Sequence, residues 1–277
     1  MTDTPIVGEG PPPAQGAPAP GAPAGRAAGG GGRKPWRFGV VVAFTLRSCV
    51  GPRRWLGCLL PSVGAVLFGL LANELDPPRI EAFARTASLG IFGLTLPITA
   101  LVIGDAVMGA EVRSGVFHFT WLTPAPLRTI VAGRWLGGWI VALVSIVPAA
   151  ALGAVVAGVP EAAWPAAVAT AAGAGAYIAV FIAIGSVARR AAVWSLAFVF
   201  LVERLLGAAL SGIAQLSPGW EARAVFLGLV DDAPSALVRS GVPGGGAGIV
   251  RLVLIGVVAL LLAGWRLRRL SLSGAAD

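Results

Sequence analysis

GDAVMGAEVRSGVFHFTWLTPAPLRTIVAGRWLG, residues 104–137, is a polar and aromatic link between two long apolar runs. The run before it, near 88–108, carries Asp105 as its only charged residue. The run after it, near 130–158, carries only Arg134. Apolar stretches of about 18 or more residues with few charges are long enough to cross a bilayer as helices. The link therefore joins two candidate membrane spans. The chain reads as an all-α polytopic membrane protein whose main solvent is lipid. Its composition agrees: 277 residues, 56% hydrophobic and 12% charged, where a soluble domain carries roughly 25% charge.

Working outward from the link, six spans are expected, near 55–73, 88–108, 130–158, 163–188, 191–216 and 247–267. The first is about 29 Å of helix, close to the thickness of a hydrocarbon core. Pro97 and Pro148 predict a kink or tilt in the second and third. Residues 1–35 are Pro, Gly and Ala with almost no large apolar side chain, and read as a disordered tail. Residues 36–54 mix apolar and basic residues, and Phe38, Val41 or Val42, and Leu46 share a helical face. That pattern suits an interfacial helix. Residues 271–277 form a short polar tail.

The basic residues give the spans a direction. With the N-terminus in the cytoplasm, fifteen of the twenty-one Lys and Arg residues fall on the cytoplasmic side. Five fall outside: Arg79, Arg85, Arg223, Arg239 and Arg251. Arg204 is left within a span. This positive-inside bias predicts cytoplasmic N- and C-termini, and it puts residues 111–134 in or beside the cytoplasm. The outer loops collect acids instead, among them Glu74, Glu81, Glu161 and Glu221. The net charge of +8 is thus explained by sidedness, and no nucleic acid is implied. One lysine against twenty arginines, with the Ala and Gly load, suggests a GC-rich bacterial genome and hence a bacterial plasma membrane.

Within the link, Glu111, Gly115, Pro124 and Gly133–Arg134 recur at a fixed spacing. The Gly comes four residues after the Glu, the Pro nine after the Gly, and the Gly–Arg pair nine after the Pro. This resembles the signature between the second and third membrane helices of ABC-2 type transporter permeases. The departures are Val116 where Thr is usual and Arg134 where Lys is usual. The resemblance implies a six-span permease domain over 36–270 with an N-terminal elbow helix. It implies a dimer with a second permease subunit, identical or different, and two copies of a separate ATPase subunit. In the family the segment includes a short coupling helix that docks into the ATPase. Carried over, the coupling residues are Glu111, Arg113, Gly115, Phe117, Trp121, Pro124 and Arg128. Residues 114–122 are read as that helix, because a lone strand beside a membrane would have no partner for its backbone. A generic aromatic-rich interfacial loop is the plainer alternative.

The chain offers no chemistry of its own. A P-loop needs Gly-rich backbone leading to Lys-Ser/Thr, and the only lysine, Lys34, precedes Pro35. One histidine, His118, and two cysteines, Cys49 and Cys58, build no metal site and no nucleophile-base pair. No cofactor and no enzymatic role are expected, and a Cys49–Cys58 disulfide is not. Glu203 and Arg204 stand near the centre of the fifth span. Two charges there cost roughly 6 kcal/mol, and the apolar residues of the span return about 5 kcal/mol. Each needs its own partner, since neighbouring helical residues face apart. They mark a substrate path, a subunit interface or a structural ion pair. Asp105 reads as a cap or as a partner for Arg113 or Arg134. The function expected is export of a substrate driven by a separate ATPase. The alternative is a non-transporting assembly or signalling subunit that partners an ATPase.

The charge asymmetry generates a first prediction. A cysteine at Ser235 should react with a membrane-impermeant maleimide added outside intact cells, and one at Ser271 should not. The reverse labelling would overturn the orientation.

Overall fold

In hydrocarbon, no water competes for backbone N–H and C=O groups, so each apolar run must satisfy them internally as a helix. In the computed structural model, residues 36–49, 51, 54–75, 78–109, 126–188, 190–206, 215–231, 237 and 245–269 are described. Among the described residues about 91% are helical and none lies in a strand. The helices are α1 (Trp36–Cys49), α2 (Arg54–Asn73), α3 (Arg79–Gly109), α4 (Leu127–Val156), α5 (Pro160–Gly185), α6 (residues 191–206), α7 (Pro218–Leu229) and α8 (Gly245–Arg269).

Five of them, α2, α3, α4, α5 and α8, are long and apolar enough to cross a membrane. They overlap five of the expected spans. The exterior they present is apolar: Leu60, Val144, Leu254 and Leu261 are among the exposed large side chains. Only 28% of the most apolar window of α8 is buried within the chain. Such a surface suits lipid as solvent, and the helices fit a multi-pass membrane protein. The remaining expected span, 191–216, is described as helix through residue 206, and 207–214 lie outside the described residues.

Neighbouring helices run up and down. Gly57 faces Val102 and Gly64 faces Thr95, so α2 and α3 are antiparallel. Trp139 and Trp135 of α4 donate from Nε1 to the carbonyls of Ala171 and Gly175, both at 2.9 Å, so α4 and α5 are antiparallel as well. The two indoles stack with centroids 5.4 Å apart. α5 is the central helix, packed against α3, α4, α7 and α8. Its sequence AWPAAVATAAGAGAYIAVFIAIG is mostly small residues, which let helix backbones approach closely where lipid offers no hydrophobic drive to associate. α3 is longer than the expected 88–108. Its first turns are polar, with Glu81 and Arg85 paired one turn apart, so hydropathy alone missed them. It also carries two π-helical stretches, Ala87–Thr95 and Asp105–Gly109. α4 runs unbroken through Pro148. Cys49 and Cys58 are buried and form no disulfide with each other, although both border one cavity of about 300 Å³.

The tightest helix crossing is that of α2 on α4. A Cβ at Gly69 would overlap the Gly153 carbonyl, and one at Gly153 would lie 2.9 Å from the Ala65 carbonyl oxygen. Gly69→Ala and Gly153→Ala should therefore each destabilise the folded chain by about 1–3 kcal/mol. Gly39→Ala in α1 meets nothing within 4 Å and should be neutral or stabilising by up to about 1 kcal/mol. Equilibrium unfolding in bicelles reads the three against each other. Equal stability in all would show that the crossing is looser than this geometry.

Candidate functional site

Two regions hold the residues that the sequence singled out. The first is the end of the bundle where α3 stops and α4 begins, called here the motif end. Glu111, Arg113, Gly115, Phe117, Trp121 and Pro124 lie outside the described residues, as do His118 and the whole of 114–122. Arg128 is exposed in the first turn of α4. Gly133 and Arg134 follow, and both have a structural reason. A Cβ at Gly133 would lie 2.8 Å from Cγ1 of Val41, so the glycine lets α1 lie directly on α4. Arg134 is 4% exposed. Its Nη1 donates to the Val107 carbonyl at 2.9 Å and touches Met108 Sδ at 3.8 Å. It therefore ties α4 to the π-helical end of α3, on the other side of the link. Asp105 stands in the same π-helical stretch, where a side chain at Gly109 would overlap its carboxylate.

α1 buries Thr45 and Cys49, while Val40 and Phe44 are 48% and 56% exposed. Its packed face includes Val41, Thr45 and Cys49. It packs along the first turns of α4, and Thr45 donates from its hydroxyl to the Val41 carbonyl at 2.9 Å.

The second region surrounds Glu203. This residue belongs to the π-helical part of α6, Phe198–Leu206. Its Oε2 accepts a hydrogen bond from the hydroxyl of Tyr177 at 2.6 Å. Tyr177 is fully buried on α5 and is the chain's only tyrosine. The side chain of Arg204 lies outside the described residues. Next to Glu203 comes α7, which hydropathy did not reveal because it is too short to span and carries charges. Its start is built by Ser217, whose Oγ accepts from the Trp220 N–H at 3.2 Å, with Pro218 at the first helical position. That Ser–Pro pair was the available sequence signal.

α7 is buried rather than laid on the surface. Phe226 meets Phe83 at 5.8 Å and Phe92 at 5.3 Å between centroids. A Cβ at Gly219 would overlap the Tyr177 hydroxyl and sit 3.4 Å from Glu203 Oε2. The first turn of α7 therefore reaches the level of Tyr177, which lies fourteen residues after Ala163 in α5. From there α7 runs alongside α8 in the opposite sense, and Val225 faces Gly248. Glu221, fully buried, pairs through Oε1 with Arg251 Nη1 at 3.1 Å. Ser88, Glu203, Ser217, Trp220 and Arg223 border one small cavity of about 80 Å³. The Arg223 guanidinium lies 5.6 Å from the Trp220 ring centroid.

No protein-family model and no curated protein matches the chain.

The Glu221–Arg251 pair generates a stability prediction. Removing one partner of a buried ion pair leaves an uncompensated charge and costs about 3–5 kcal/mol. Arg251 is 41% exposed at its side chain, so Arg251→Leu should fall at the lower end of that range. Glu221→Gln added to Arg251→Leu should recover most of the loss. A double-mutant cycle by equilibrium unfolding measures both, and independent additivity of the two changes would refute the coupling.

Proposed function

We propose that the chain is the membrane-spanning permease subunit of an ABC transporter of the ABC-2 type, exporting its substrate with energy from a separate ATPase. The observation that carries this reading is the Glu111–Gly115–Pro124–Gly133–Arg134 spacing between two long apolar helices. The structure adds support at the end of that motif. Gly133 seats α1 and Arg134 joins α4 to α3, so the link emerges from a tied junction of three helices. In this reading α6 is the fifth of six spans, α1 is the elbow helix, and the motif end faces the cytoplasm. Arg47, Arg128, Arg134, Arg190, Arg266 and Arg268 all belong to that end by their place in the helix order, which fits the positive-inside rule. Residues 114–122 would dock in the ATPase, and closure of paired ATPases would push α3 and α4 through the tied junction.

The reading is tested at Phe117. Phe117→Asp would bury an unpaired charge in the ATPase contact at a cost of several kcal/mol. Glu111→Gln would remove a partner for a nearby arginine. Both variants should insert at normal abundance and lose capture of the partner ABC ATPase, or lose stimulation of its hydrolysis. Undiminished capture with Phe117→Asp at equal membrane abundance would rule out 114–122 as the coupling element.

A further inference from the structure

At the motif end, α5, α6 and α8 leave an open groove between them. Its volume is about 790 Å³, within the range of about 300–1,000 Å³ typical of ligand sites. Val187 just past α5, Trp194 and Leu201 of α6, and Leu262 and Trp265 of α8 border it, and all five are exposed. The groove therefore opens sideways, toward the lipid that the apolar exterior suits. Its depth follows from the helices. α8 starts at Gly245, and Arg266 in its last turn lies about 31 Å further on, one hydrocarbon thickness. Trp265 beside it and Trp194 in the first turn of α6 mark the same level, where indoles collect at a membrane interface. α6 then runs inward, from Ala191 beside Gly109 to Glu203 at the level of Tyr177. Leu201 is about 10 Å deeper along it than Trp194. The groove thus leads from head-group level into hydrocarbon.

A cation stands at its shallow end. Arg266 borders the groove and is half-buried. Its Nε is buried without an acceptor among the described residues, and no described carboxylate pairs with it. A buried N–H requires an acceptor. By helix order the same end holds Arg47, Arg128, Arg134, Arg190 and Arg268, against Asp105 alone among the described acids.

We propose that this groove holds one anionic glycerophospholipid of the adjoining leaflet, with an acyl chain between α6 and α8 and the phosphate on Arg266. The phosphate supplies the acceptor that Nε lacks and matches the positive charge of this end. The acyl chain fills the apolar walls. Other occupants leave one of these demands unmet. A free phosphate would leave the walls empty. A helix of a second copy would cover them, but its carbonyls are bonded within itself, so Nε would stay without an acceptor. A lipid whose ammonium neutralises its phosphate lacks the net charge. The proposal goes beyond the permease reading and does not depend on it. On that reading the leaflet is the cytoplasmic one.

The probe is phosphatidylglycerol with a photoactivatable diazirine on one acyl chain. The full chain is placed in phosphatidylcholine nanodiscs containing a small fraction of the probe, irradiated and digested, and labelled peptides are identified by mass spectrometry. Labelling should concentrate on 183–201 and 262–266. Unlabelled phosphatidylglycerol should displace it about fivefold or more effectively than phosphatidylethanolamine. Arg266→Gln should lower this labelling about tenfold, as expected for losing a charged hydrogen-bond partner, and make the two competitors equal. Ala197→Phe puts a ring into the groove, so it should remove the labelling with Arg266 still in place. The wild-type pattern and competition decide the matter if either variant fails to fold.

Labelling spread evenly over α2 and α4 as well, or displaced equally by the two lipids from wild type, would overturn the proposal and leave only annular lipid. So would displacement by inorganic phosphate as effective as that by phosphatidylglycerol. No labelling of the groove segments would overturn it in favour of a covering second copy. Unchanged labelling and competition in folded Arg266→Gln would remove the phosphate contact and with it the proposal. The ATPase takes no part in this assay, so its outcome and that of the Phe117→Asp capture are independent.

Discussion

In a bilayer an apolar side chain gains nothing by leaving lipid for another apolar side chain, so helices must be held by close backbone approach and by polar contacts. α5 meets that constraint with a surface of Ala and Gly. Ala166, Ala169, Ala174, Ala176 and Ala179 are all buried, and each leaves room for a neighbouring helix. The same small residues expose carbonyls, and Trp135 and Trp139 bind two of them from α4. A larger residue at Gly175 would meet the Trp139 indole nitrogen at 3.3 Å. Packing and hydrogen bonding at this seam therefore depend on one choice, the absence of side-chain bulk on α5. Large apolar residues are sent outward instead, and Leu and Val of α2 and α8 are among the exposed side chains.

Once the bundle is closed this way, its interior can carry charge. Glu203 is tolerable in α6 because Tyr177 on α5 reaches its carboxylate. Glu221 is tolerable in α7 because Arg251 on α8 does the same. Both pairs link different helices. Breaking either would loosen the seat of α7, whose first turn contacts α5 and α6 and whose later turns contact α3 and α8.

What could be read in advance follows from what faces lipid. α2, α4, α5 and α8 match the expected spans within a few residues, because their length and apolarity are fixed by the bilayer and not by their neighbours. The start of α3 was missed, since Arg79, Glu81 and Arg85 make its first turns polar. α7 was missed for the same reason in stronger form. It has twelve residues and buries Glu221, and nothing in its hydropathy separates it from a surface loop. The charge at Glu203 was legible as an anomaly, but its partner was not. Tyr177 sits well inside an apolar helix with no pattern to mark it. The spacing of Gly133 was legible, whereas its cause, the approach of Val41, lies about ninety residues earlier in the chain.

The placement of the two regions bears on how the proposed permease function would operate. Arg134 binds α4 to the final turns of α3, and Gly133 binds α4 to α1. A force applied to the link between α3 and α4 would then move three helices as one body, because none can slide without breaking a buried contact. α6 begins beside the same junction, with Ala191 next to Gly109, and Glu203 lies twelve residues further along it. The π-helical turns lie at the junction itself, Asp105–Gly109 of α3, and at the Glu203 cavity, Ala87–Thr95 of α3 and Phe198–Leu206 of α6. Such turns are less regular than α-helix and are often found where helices adjust at functional sites. Motion at the motif end thus has a short path to the carboxylate, through helices whose hydrogen-bond registers are already the least regular in the bundle.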